Sequence, residues 1–184
     1  MGARGPEREA AARMNFVRSM AAYSIVCYVL NIKDRHNGNI LIDRRGHIAH
    51  IDFGFLLTNS PGGNINFEAA PFKLTQEFVA VMGGHRSSLF VTFRKLCVQA
   101  FLAARKYRER ILLLVEMMLS GNGDLKCFVG GPRAVMAGLR ARFHEDGSDR
   151  ACVALVHRLI DNSLDNWRTK WYDRLQRWQN GVYM

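Results

Sequence analysis

Within KDRHNGNILIDRRGHIAHIDFGF, residues 33 to 55, one Asp, one Arg, one His and two Asn fall in six consecutive positions, and an Asp-Phe-Gly follows. Asn39 and Asp52 offer an amide carbonyl and a carboxylate, hard oxygen ligands of the kind Mg²⁺ takes. Asp34 or His36 is suited to accept a hydroxyl proton. Arg35 can brace the loop or offset charge. Phosphoryl transfer needs such a set: metal-held phosphates and an acceptor hydroxyl kept in line with the γ-phosphate.

These side chains work only if the chain brings them together. Ile40–Ile42 and Ile48–Ile51 read as two short strands, joined by Asp43-Arg44-Arg45-Gly46 as a turn. That hairpin sets Asn39 beside Asp52. Residues 7–31 predict a largely buried helix ahead of the loop 33–39. Residues 53–73 hold Pro61, Gly62, Gly63 and Pro71, so they predict a long irregular loop of the functional kind. Beyond it the pattern is helical: a helix capped by Thr75 and ending at Gly83-Gly84, then 88–104, 107–119, Pro132 to Phe143, and 149–160 capped by Ser148. The fold class expected is α+β, mostly helical, with one small hairpin near the front.

The order Asp34-Arg35-His36-Asn37-Gly38-Asn39, then His50-Ile51-Asp52-Phe53-Gly54, resembles the phosphatidylinositol 3-/4-kinase family. Its members read D-R-H-x-x-N followed by H-I-D-F-G. IKDRHNGNILID, HIDFGF, SPGGN, FKLTQEFVAVMGG and AFLAARKY look like its type III phosphatidylinositol 4-kinases, the beta type most of all. The likeness runs from about Asn15 to the C-terminus and is weakest between Asp124 and Asp149. It implies the C-terminal lobe of a protein-kinase-like fold over 15–184, after a variable segment 1–14. The catalytic loop would be 33–39, the activation loop 52–73 and a C-terminal amphipathic helix 165–180. Asp34, Arg35, His36, Asn39 and Asp52 would be catalytic, with Asn39 and Asp52 on Mg²⁺ or Mn²⁺ and ATP as co-substrate. Leu41 and Ile51 would floor the adenine site. Phe53, Gly54, Pro61, Gly62 and Lys73 would face the lipid substrate. The reaction implied is phosphorylation of phosphatidylinositol at its 4-hydroxyl, on a cytoplasmic membrane face, the Golgi by resemblance. Small GTPases or adaptor proteins are the implied protein partners.

One substrate argument comes from the residues themselves. Phosphate recognition needs Arg or Lys. From Asp52 to Thr75 the only cation is Lys73, so the loop favours an unphosphorylated headgroup.

The ends of the chain add two expectations. Trp167, Trp171, Leu175, Trp178 and Val182 recur at spacings of 4, 4, 3 and 4, one face of a helix, flanked by Arg168, Lys170, Arg174 and Arg177. An aromatic face with a basic rim suits anionic lipid; packing against the helical body is the alternative. At the other end, only 33 residues precede Asp34, without a Gly-rich turn or any Lys before Lys33. The N-terminal lobe that clamps ATP is therefore expected to be absent. The chain then reads as a fragment of a working kinase, or else as an inactive lobe that binds membrane or protein partners.

Composition bounds the rest. A net charge of +10 calls for an anionic partner, and 48% apolar content suits a globular domain. The longest early apolar run, 20–30, is too short for a bilayer span. Four cysteines without a C-x-x-C pair predict reduced core thiols. No zinc spacing, RNP-type aromatic run or P-loop is present, which excludes nucleic acid as partner and P-loop chemistry.

Overall fold

A computed structural model describes residues 5–61 and 70–164. Its elements are α1 (Gly5–Val29), β1 (Ile40–Ile42), β2 (Ile48–His50), α2 (Gln76–Val81), α3 (Ser88–Lys106), α4 (Arg108–Leu119), α5 (Gly131–Phe143) and α6 (Asp149–Ser163). Single 3₁₀ turns cover Asn37–Asn39 and Lys126–Phe128. The described chain is mostly helical around one two-stranded antiparallel sheet.

Helix α3 is the centre of the body. Its buried Phe90, Phe93, Cys97 and Phe101 repeat at helical spacing, and α1 and α6 pack against it. Each buried Phe contributes about 1.5–3 kcal/mol of transfer free energy. Ser87, Thr75 and Ser148 cap α3, α2 and α6 by accepting from Phe90 N, Phe78 N and Ala151 N. Cys27, Cys97 and Cys152 are buried thiols and Cys127 is half-buried. No helix among the described residues is long and apolar enough to cross a membrane.

Burial in α1 departs from the expectation of a largely buried helix. Residues 5–11 are exposed, and the core-facing stripe begins at Phe16. The Ala-rich start forms helix by propensity and stays exposed among the described residues.

The inner part of α1 is the platform for the hairpin. Asn15 Nδ2 donates to Arg45 O at 3.0 Å, and Ile48 N donates to Ser19 Oγ at 3.0 Å. At the turn, Gly46 has φ +85, and a Cβ there would run into the carbonyl of Ala12. Only glycine meets both demands. Pairing Ile40 with His50, Leu41 with Ala49 and Ile42 with Ile48 fixes the register.

Candidate active site

Helix α1 hands the chain to the polar loop through a Schellman closure. Asn31 is left-handed (φ 51), Asn31 N donates to Tyr28 O, and Ile32 N donates to Cys27 O at 2.8 Å. Arg142 adds a cation at this helix end, its Nε 2.7 Å from Val29 O. Burial lowers the Arg142 pKa, and Tyr28 works against that shift. The segment after Asp-Phe-Gly then lies alongside: Leu57 N to Leu30 O and Lys33 N to Phe55 O, at 2.8 and 2.9 Å. Asn31 Nδ2 adds a bond to Leu57 O.

Within the loop, His36 caps the 3₁₀ turn, its Nδ1 accepting from Gly38 N at 3.1 Å. Nδ1 therefore presents a lone pair, and in the neutral ring the proton sits on Nε2. Gly38 leaves room for this, since a Cβ there would stand 3.0 Å from the imidazole. Asn39 is buried, and its Nδ2 donates to Asp34 O at 2.9 Å, so its carbonyl oxygen faces the other way.

The hairpin brings Asn39 and Asp52 onto neighbouring backbone: Ile51 N donates to Asn39 O at 3.0 Å. Asp52 is exposed, with φ +58, and its Oδ1 accepts from Gly54 N at 3.2 Å. Asp34 is also left-handed, φ +66. Two non-glycine aspartates in this region, in one small site, store backbone strain that the surrounding bonds must hold.

Arg35 supplies much of that hold. It is 1% exposed. Nε donates to Lys33 O at 3.0 Å, Nη1 to Ile51 O at 2.8 Å and Nη2 to Asp52 O, while the guanidinium lies 5.6 Å over the Phe53 ring. One planar cation thus ties both ends of the polar constellation together.

Leu41, Ile51 and Phe53 are 53%, 40% and 46% exposed, an apolar face open on the hairpin. Pro61 is described at the edge of the long loop. Gly62, Trp167, Trp171, Leu175 and Trp178, with the helix expected at 165–180, lie outside the described residues. Lys73 is unlike an open loop cation: it is 2% exposed.

Asn39 and Asp52 fit a divalent cation. Their oxygens are hard donors, and Asp52 Oδ2 accepts no bond from the described residues. Among the described residues no three His, Cys, Asp or Glu side chains converge as a cage. A two-ligand set suits Mg²⁺, which keeps waters and takes phosphate oxygens.

Two supporting residues were not among the expected site residues: Asn59, which carries no signal in the sequence, and His50, which stands there only as the first residue of the H-I-D-F-G motif. Asn59 folds the turn after Asp-Phe-Gly, accepting from Leu56 N and donating to Gly54 O. His50 is buried under the hairpin, stacked on Tyr23 at 4.2 Å, with Nδ1 3.5 Å from Cys27 Sγ. Its Nε2 is buried without a partner among the described residues. Burial first, then Arg35 and Lys73, push its pKa from 6.5 down to about 4. Between those values the unfolded chain binds the proton and the folded chain does not. The stabilising contribution is complete above about pH 6.5 and is lost as pH falls through 4. It amounts to about 3 kcal/mol. Urea unfolding at pH 7 and pH 5 should show about 2 kcal/mol of this loss, and His50→Gln should flatten it. An equal slope in both proteins would contradict a neutral buried His50.

Comparison with known proteins shows the family. The chain belongs to the phosphatidylinositol 3- and 4-kinase family, whose sequence model matches residues 3–122. It is 57% identical over 172 residues to a Dictyostelium discoideum protein named phosphatidylinositol 4-kinase, covering 94% of this chain and 14% of the relative. Against phosphatidylinositol 4-kinase beta 2 of Arabidopsis thaliana it is 56% identical, covering 93% and 15%. Against phosphatidylinositol 4-kinase beta of Xenopus tropicalis it is 46% identical, covering 93% and 21%. The chain spans 14–21% of the lengths of these relatives.

Proposed function

We propose that this chain is the C-terminal lobe of a phosphatidylinositol 4-kinase, with 33–39 as catalytic loop and 52–73 as activation loop. The observation that carries the reading is the hairpin junction, where Ile51 N bonds Asn39 O and brings the backbone of Asn39 alongside the start of the Asp-Phe-Gly segment. Asn39 and Asp52 would hold Mg²⁺, which when bound neutralises phosphate charge and orients the triphosphate. Asp34 takes the proton of the inositol 4-hydroxyl. His36 donates from Nε2–H to the oxygens of the transferring phosphoryl group, because its Nδ1 lone pair is committed to Gly38 N. Arg35 holds the two segments in register. Leu41 and Ile51 form the apolar floor beneath adenine.

The substrate follows from charge. The described parts of the activation loop expose no cation, because Lys73 is buried. An already phosphorylated headgroup finds no partner there. Phosphatidylinositol in an anionic cytosolic-face membrane, such as the Golgi, is the substrate this reading assigns, with the tryptophan stripe as its contact.

The test is a lipid kinase assay on the full-length protein. Vesicles carry either phosphatidylinositol or phosphatidylinositol 4-phosphate, and the product isomer is identified by chromatography. Phosphatidylinositol 4-phosphate made from the first, and turnover at least tenfold lower on the second, is the expected result. A 3-phosphorylated product, or preference for the phosphorylated lipid, would overturn the assignment.

A further inference from the structure

Beside the segment that follows Asp-Phe-Gly, a short turn holds apolar side chains out into solvent. Just past helix α4, Asn122 N donates to Leu119 O and its Nδ2 to Met118 O. Asn122 O then accepts from Leu125 N at 3.1 Å, and Leu125 O accepts from Phe128 N at 2.8 Å. Phe128 is buried and seats the turn in the core. Leu125 and Val129, which frame the turn, are 50% and 51% exposed, and Met117 and Met118 on the last turn of α4 are open as well. Lys126 and Arg133 are exposed cations among them, with Asp124 the one acid between residues 120 and 133. The turn is fastened to the activation loop: Thr58 donates to Cys127 O from Oγ1 at 2.8 Å and from N at 3.4 Å.

Exposed aliphatic groups beside a cation cost free energy in water and regain it at a lipid surface. There the apolar groups enter the acyl boundary while a lysine stays among the headgroups. On the kinase reading the substrate is a lipid met by the loop that starts at Asp52, so the bilayer comes up to Thr58 and reaches the turn fastened to it. The net charge of +10 draws the chain to an anionic leaflet. We propose that Leu125, Lys126 and Val129 form a membrane contact of their own, in addition to the tryptophan stripe, that seats an anionic bilayer against the activation loop. This rests on the kinase reading.

The experiment measures co-sedimentation of the full-length protein with phosphatidylcholine vesicles, with or without phosphatidylserine, alongside the thermal midpoint. Leu125→Ser combined with Val129→Ser should bind the phosphatidylserine vesicles about tenfold more weakly than wild type. Its midpoint should not move, since both side chains are half open to water. Lys126→Gln should lose about fivefold on those vesicles and nothing on the uncharged ones. Leu125→Trp, which puts an interfacial aromatic at the same place, should bind more tightly than wild type. Wild-type binding by the double variant would overturn the inference and leave the turn to a protein partner. So would a weaker Leu125→Trp, the mark of a turn that only needs its native packing. Failure of the kinase reading shows separately, as a wild-type protein that binds these vesicles but phosphorylates no phosphatidylinositol added to them.

Discussion

Asp52→Asn should abolish lipid phosphorylation in the full-length protein, by about a thousandfold or more in kcat, without unfolding it. Among the described residues the exposed carboxylate accepts one bond, from Gly54 N, and an amide oxygen can accept that bond equally well. Asparagine also tolerates the left-handed backbone at φ +58, which alanine does not. The substitution therefore removes charge and little else. Loss of a single well-placed electrostatic group in a dry site costs a hundred- to a thousandfold, and a ligand that also anchors the metal stands at the upper end. Asn39→Ala should match it in turnover but not in stability. Asn39 is buried and ties Asp34 O, so its removal leaves an acceptor unmade at about 1–3 kcal/mol. Incorporation of labelled phosphate, with thermal melting followed by circular dichroism, separates the two effects. Phosphorylation retained by Asp52→Asn would end the metal assignment.

The difference between those two residues marks where the sequence stops being readable. Local rules reach the hairpin: alternating apolar runs around Asp43–Gly46 give two strands, and their register brings residue 39 up against residue 51. Caps are equally local, and Thr75 and Ser148 follow from residue type and position alone. Burial is not local. Lys73 stands in a stretch rich in Pro, Gly and Asn that reads as solvent-facing, yet long-range packing closes over it. The Ala-rich start of α1 errs the other way, a strong helix former that stays exposed among the described residues. His50 belongs to the same class of misses, since nothing in HIAHID says that Tyr23, twenty-seven residues earlier, will stack on it. Charge pattern allowed Arg35 as a brace or as an offsetting charge, and the hydrogen bonds show the brace directly.

Arg35 is where this geometry predicts the largest loss of stability. Its guanidinium serves three backbone carbonyls, Lys33 O, Ile51 O and Asp52 O, from a position sealed off from water. Removing it strands those acceptors in the core at about 1–3 kcal/mol each, and truncation adds a cavity. Arg35→Ala should therefore cost on the order of 4–5 kcal/mol, lowering the thermal midpoint by roughly 10 °C or more. Lysine is no rescue: an ammonium is a point donor and cannot span carbonyls from two segments as a planar fork does. Arg35→Lys should recover less than half of the loss. Arg35→Met is the sharper check, because its apolar chain fills much of the space but offers the carbonyls no donor. It should drop the midpoint steeply as well. A midpoint left unchanged by Arg35→Met would mean that filled volume, and not the carbonyl clamp, sets the cost at this site.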